Sequence, residues 1–513
     1  MAGLLAALCV GAEAVEPSPW LEIHSAHFIV ITDAGQNKGR EVALRFEQMR
    51  AVFANLLSKD RLNQSLPLTI LAFGDDKLYY QLAPLQQGQP IQVPGFFLKG
   101  DDQDFVVLNL SESDPWRAVA RDFGLMLLSY NYPPAQAWFD EGLTQYFSSI
   151  SIQNRQVQIG GEAYGAKPGS TTEMLKTQNW QSLPDLFTAK PEASASASNS
   201  TSLYSAESWV VMHYLLHEKR LPDTGTYFNQ VLNQHVGVEE AIKQAYGMTS
   251  AQLEQSIKDY FKTNFADANS ASSAAVDHFP VPVGPDDSVV NANPLSVDDA
   301  RAVYAAAQIR VPERRDLALK ALQELATTAT EADKKAGAKH ASKRMGEDEV
   351  QLPSDSIGNE RAHRFLAWDH IQHGNFEEAF KEIGDAASLN PQDMWVRYYL
   401  CFAKYRMAQA KHSDILGLAN MMIDLRSVLE WYPEMANAYD LLAVARNAGG
   451  STPAALQSER AAISLSPRDE LYKFHLAQIY VSSKKWEAAG QLLERLKNSS
   501  DPQIVTLATD LLS

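Results

Sequence analysis

The sequence predicts an α+β N-terminal domain followed by an all-α repeat solenoid. Two observations carry this. Over residues 15–265, short β-branched and aromatic runs alternate with stretches of helical periodicity. From residue 359 onward the chain repeats: Pro433 and Pro467 stand 34 residues apart, and so do Ala455 and Ala489.

In the first unit, strands are expected at 26–32, 67–73, 94–98, 104–110 and 153–159, with a helix near 37–58. After the strand at 104–110, Ser113-Asp114-Pro115 starts a helix, because proline is tolerated in the first turn, where its missing N–H costs nothing. Val119, Phe123, Met126, Leu127 and Tyr130 then form an apolar stripe at helical spacing. Asn131-Tyr132-Pro133-Pro134 breaks the helix, and residues 135–149 resume one. Tyr204–Leu216 reads as a further helix, preceded by the low-complexity run Ala193–Ser202.

Residues 266–295, rich in Ala and Ser and then in Pro, read as a linker. A helical segment is expected over 296–327, capped by Ser296 with Asp298 and Asp299 in its first turn. Residues 328–358, charged and poor in apolar side chains, read as a second linker. Residues 359–513 carry the repeats, with the 42-residue step from Pro391 to Pro433 marking an insertion near Ala410–Gly417. The period is that of tetratricopeptide repeats, and the small residues Ala455 and Ala489 stand where the two helices of a repeat touch. Repeats of this kind stack to form a concave groove, so the expected partner is a protein or peptide held there.

Residues 1–14 end in the small-x-small site Ala12-Glu13-Ala14 after an apolar run and read as a signal-peptide remnant, predicting a secreted or periplasmic protein. The first basic residue is Lys38, so the leader lacks its usual basic start; the alternative is an apolar tail on a cytoplasmic protein. Without Cys9 the chain keeps only Cys401 and forms no internal disulfide. No apolar run reaches the ~18 residues a membrane span needs. Over 513 residues the net charge is −17, with no basic stripe, which argues against nucleic acid as a partner.

The segment Arg121-Asp122-Phe123-Gly124-Leu125, with Trp138-Phe139-Asp140-Glu141-Gly142-Leu143 and Tyr146-Phe147 behind it, resembles the core of the peptidase-MA-like (gluzincin) metallopeptidases. The whole resembles the secreted bacterial kind that carries tetratricopeptide repeats behind the catalytic domain. In that family a His-Glu-x-x-His helix supplies two zinc ligands, and the glutamate of Trp-x-x-Glu-Gly supplies the third. The alignment places Arg121 and Leu125 at the histidine positions and Asp122 at the general-base glutamate. Arginine has no free lone pair and leucine no donor atom, so the resemblance implies a fold retained without its zinc. Glu141 is the ligand position that survives. A family Tyr-Ala-x-Ser-Trp helix implies an accessory role for Tyr204, although Ser205 stands at the tyrosine's place.

No metal, cofactor or catalytic residue is therefore expected. No His-x-x-x-His pair elsewhere carries the required glutamate, since Leu221 replaces the second histidine after His217-Glu218. His363, His370 and His373 read as solvent-facing repeat residues. Three functions compete: a pseudopeptidase-like binding or assembly protein; an active metallohydrolase using zinc on an unusual set such as Asp122, Glu141 and His213 or His217; and a repeat-mediated scaffold with an inert N-terminal platform. In the first, Arg121 replaces the metal as the counter-charge of Glu141.

Overall fold

A computed structural model describes residues 20–166, 170–189, 202–265, 276–284, 291–329 and 357–512. The signal-peptide remnant, the run 193–201 and most of 328–358 lie outside these residues.

In chain order the first unit opens with β1 (Leu21–His24), β2 (Ile29–Thr32), α1 (Gln36–Leu56), β3 (Leu68–Phe73) and α2 (Asp76–Leu82). The small hairpin β4 (Leu85–Gln86) and β5 (Gln89–Pro90) precedes β6 (Gly95–Leu98) and β7 (Asp104–Asn109). Then come α3 (Ala120–Asn131), α4 (Ala137–Ser148), β8 (Ser151–Gln153) and β9 (Gln156–Ile159). Helices α5 (Ser170–Thr177), α6 (Leu183–Thr188), α7 (Leu203–His217), α8 (Leu221–Phe228), α9 (Val238–Tyr246) and α10 (Ser250–Phe265) close the unit. The strand expected over 153–159 is instead a hairpin. Asn154 and Arg155 turn the chain at φ of 50° and 60°, the two left-handed residues a tight two-residue hairpin requires.

The segment 266–295 is more than a linker. Its described residues supply β10 (Asp277–Pro280), which pairs with β9, and β11 (Asn291–Pro294), which pairs with β1. The main sheet thus runs β11-β1-β2-β3-β7-β6, parallel at β2-β3-β7 and antiparallel toward both edges.

Every residue of β3 and β7 is buried, because the sheet is covered on both faces. Ile70, Ala72, Val106 and Leu108 point toward the core under α1, α3, α4 and α7. Leu71, Phe73, Phe105 and Val107 point the other way, into a core shared with the helical half of the chain. That second layer begins with α11 (Val297–Ile309) and α12 (Arg315–Thr327). The helical segment 296–327 is thus two helices, split at Val311-Pro312, since proline starts a helical turn readily but cannot sit inside a helix.

The repeats follow as α13 (Glu360–Gln372), α14 (Phe376–Leu389), α15 (Met394–Lys411), α16 (Leu418–Trp431), α17 (Ala436–Ala448), α18 (Thr452–Leu465), α19 (Glu470–Ser482), α20 (Trp486–Leu496) and α21 (Pro502–Leu512). Equivalent helices begin 34 residues apart, Ala436 to Glu470 and Thr452 to Trp486. Ala455 and Ala489 are buried, Pro391, Pro433 and Pro467 lie in the turns, and the expected insertion takes the form of a long α15 and the loop after it. This half of the chain is a helical-repeat solenoid, and its first hairpin, α11–α12, packs directly on α13.

Candidate functional site

Helix α4 is held in place by aromatic packing and by glycine. Pro133 keeps Tyr132 extended (φ −132°, ψ 138°), which ends α3. Trp138 then stacks on Phe187 at 4.1 Å and Phe139 on Tyr132 at 4.7 Å, so α4 enters with its first turn pinned. At Gly142 any side chain would run into the backbone carbonyl of Ser208, so only glycine lets α4 lie this close to α7.

This packing brings Arg121 and Glu141 together. Arg121 Nη2 donates to Glu141 Oε2 at 2.8 Å, and Gln145 Nε2 donates to Oε1 at 2.9 Å. Burial pushes the Glu141 carboxyl up, but the Arg121 charge and hydrogen bonds from Gln145 and Ser205 outweigh it and hold the acid below its usual range. Ser205 is thus one of the groups on Glu141. Burial and the neighbouring charge of Glu141 push the Tyr204 phenol up, which keeps it neutral. Leu125 lies one turn along α3 from Arg121, partly buried. Asp122 is half-exposed, its carboxylate 4.0 Å from the Arg121 guanidinium.

The neighbouring Asp140 has its own arginine, and it comes from the solenoid. Arg468, in the turn between α18 and α19, grips both Asp140 oxygens at 2.6 and 3.0 Å and donates to the Tyr132 carbonyl at 3.0 Å. Two adjacent carboxylates on α4 therefore each hold a guanidinium, one from within the domain and one from the repeats. Nothing in the spacing of Asp140 and Arg468, 328 residues apart, announces this pair.

The alternative ligand set does not converge. His213 is buried with Nδ1 2.8 Å from the Tyr260 hydroxyl, and His217 is exposed beside Glu218 at 3.2 Å. Among the described residues, the groups whose potential ligand atoms lie within 4.8 Å of one another are His363, Glu382 and Asp385, and Asp440, Glu459 and His475; neither involves Asp122 or Glu141. His363 is also not the solvent-facing residue expected. It is buried between α13 and α14, with Nδ1 2.6 Å from Glu382, because it lies on the face of α13 turned to its partner helix. His373 is exposed, and His370 is partly covered.

Between the repeats and the edge of the N-terminal unit lies a groove of about 1240 Å³. Tyr398, Phe402, Tyr405, Arg406 and Tyr472 line it from the repeats, while Leu66 and Asp101 of the N-terminal unit form part of its wall. The two halves are tied along this edge. Asn437 Nδ2 donates to the Asp101 carbonyl at 2.6 Å, the Gln64 N–H donates to Glu434 at 2.9 Å, and Ser65 donates to the Leu465 carbonyl.

No family profile and no curated protein matches the sequence. Among solved structures, the chain is similar to MamA from Desulfovibrio magneticus RS-1 at 14% identity and TM-score 0.27, over 42% of this chain and 99% of that one. A thermophilic tetratricopeptide-repeat protein of Thermus thermophilus gives 15% identity and TM-score 0.29, over 42% and 99%. The APC/C hetero-tetramer Cut9–Hcn1 gives 14% and 0.31, over 60% of this chain and 49% of that one. The repeat architecture stands on the chain's own 34-residue spacing and on its paired helices.

Proposed function

We propose that this protein is a binding or assembly scaffold: a solenoid groove for a protein or peptide segment, built onto a pseudopeptidase domain of gluzincin-like ancestry that uses no zinc. The Arg121–Glu141 ion pair carries the second part of this reading. The carboxylate that would complete a zinc site is neutralised by a guanidinium from the position of the first histidine. A permanent cation there repels a metal ion and offers it no lone pair. The groove supports the first part, since it combines aromatic walls with the charges of Arg406, Asp101 and Asp469, a mixture suited to an extended peptide. The apolar leader-like start of the chain supports a secreted or periplasmic setting.

The test uses purified, tag-free protein. Peptide and casein hydrolysis should be absent and unchanged by Glu141→Gln. Hydrolysis that chelation abolishes, together with one equivalent of zinc that Glu141→Gln removes, would overturn the pseudopeptidase reading. For the groove, Arg406→Glu with Tyr472→Ala should abolish capture of peptides selected from a display library by the wild-type protein. Selected peptides that bind the double variant equally well would place recognition elsewhere.

A further inference from the structure

The second cluster noted above lies where no one-helix motif could reveal it. Asp440 comes from α17, Glu459 from α18 and His475 from α19, so one repeat supplies both carboxylates and the next supplies the imidazole. All three are buried, with Glu459 and His475 at 0% and 1% exposure. His475 Nδ1 lies 2.6 Å from Asp440 Oδ1, and its Nε2 lies 2.8 Å from the Tyr405 hydroxyl, which itself accepts from Gln409 Nε2 at 2.6 Å.

Glu459 is the anomaly. Neither of its oxygens receives a hydrogen bond from any N–H or hydroxyl of the described residues, and its polar neighbour is a second carboxylate, Asp440. Burial and the Asp440 charge together push its carboxyl far up. A fully buried acid without a donor is costly, and such groups persist where a proton or a cation resolves the repulsion. A proton shared with Asp440 settles one oxygen and leaves the other without a donor. A divalent cation would neutralise both acids at once.

We propose that Asp440, Glu459 and His475 form a binding site for a divalent transition cation of the zinc type, one that pins two adjacent repeats together. One imidazole nitrogen and two carboxylates are a donor set that zinc accepts. Tyr405 supplies the outer support that metal-bound histidines need: with the cation on Nδ1, the imidazole proton sits on Nε2 and is donated to the Tyr405 oxygen. Asp440 and Tyr405 also line the groove, so the cation stiffens its wall. The site is independent of the Arg121–Glu141 pair.

The experiment is calorimetric titration of zinc into metal-stripped, tag-free full-length protein, with melting followed in parallel. Wild type should bind one equivalent and melt at higher temperature with zinc. Glu459→Gln copies the neutral acid, so it should fold normally yet bind zinc at least about 100-fold more weakly, at or beyond the upper end of the ~10–100-fold that loss of an outer-shell partner alone costs. His475→Gln should do the same, and Glu141→Gln should leave binding intact. No saturable zinc binding by wild type, or equal binding by Glu459→Gln, would overturn the site; the first result with an unchanged or higher melting temperature for Glu459→Gln assigns the cluster to a shared proton.

Discussion

Removing the guanidinium of Arg310 should destabilise the join between the sheet and the solenoid more than any exposed charge could. Arg310 follows α11 and donates to Asp102 at 2.6 Å and to the Ala306 carbonyl at 2.6 Å. It also lies 4.2 Å from the Trp368 ring and 4.8 Å from that of Phe105. The side chains of Arg310 and Asp102 are 3% and 2% exposed, and Tyr399 donates to the other Asp102 oxygen. Arg310→Ala leaves Asp102 charged, buried and held by Tyr399 alone, which costs about 3–5 kcal/mol. Loss of the two ring contacts adds about 1 kcal/mol or more. An unfolding entropy near 2 cal/mol/K per residue makes 4 kcal/mol worth ~4 °C if roughly 500 residues melt as one unit. It is worth about twice that if the halves melt separately, because each unit is then smaller. Differential scanning calorimetry distinguishes these cases. The double change Arg310→Met with Asp102→Leu should be far milder than Arg310→Ala, since no charge is stranded. A single variant within ~0.5 kcal/mol of wild type, the range of ordinary surface changes, would refute this account of the junction.

Arg121→Ala should cost less, about 1–2 kcal/mol, because the Arg121 and Glu141 side chains are 25% and 13% exposed and water shares in the screening; urea titration checks this. Gly142→Ala should lower the melting temperature sharply or abolish soluble expression, since the added methyl meets the Ser208 carbonyl, whereas Gly237→Ala, with open space around it, should not. Ala489→Trp should destabilise the last repeats by about 1–3 kcal/mol through overpacking, read as a loss of helical signal at lower urea. Burial alone would raise the Glu22 carboxyl, but His24 and Arg361 outweigh it and bring it down to about 2. A depressed carboxyl stabilises above its unfolded pKa, so this contribution, at most about 3 kcal/mol, is present at neutral pH and lost as pH falls from ~4.5 through 2. Glu22→Gln should flatten that part of the acid unfolding curve.

Much of the layout is legible in the residues, for a local reason. A strand such as Leu68–Phe73 or a turn at Pro433 is written in a few consecutive side chains, and a 34-residue repeat is visible because each unit solves the same packing problem. The Arg121–Glu141 pair was anticipated only through the resemblance of this short stretch to a metallopeptidase core, not from the spacing of the two residues. The hairpin at Asn154-Arg155 and the break at Pro312 were written in local residues as well, but inside runs whose wider pattern suggested a single element. The buried His363 was hidden because a histidine on a helix carries no mark of the face it occupies.

The sequence by itself determined much of the alternation of strands and helices and the period of the repeats. Only the tertiary structure decided that the two halves share one core. Strands β3 and β7 are apolar on both faces, and that pattern demands a second covering layer without saying which segment supplies it. The chain answers with α11 and the repeats behind it, with β11 from the supposed linker sealing the edge at β1, and with Arg310 and Arg468 reaching acids hundreds of residues away. Contacts between distant segments depend on how whole layers stack, and no local spacing encodes them. The same holds for Asp440, Glu459 and His475, which become a cluster only when successive repeats close on one another.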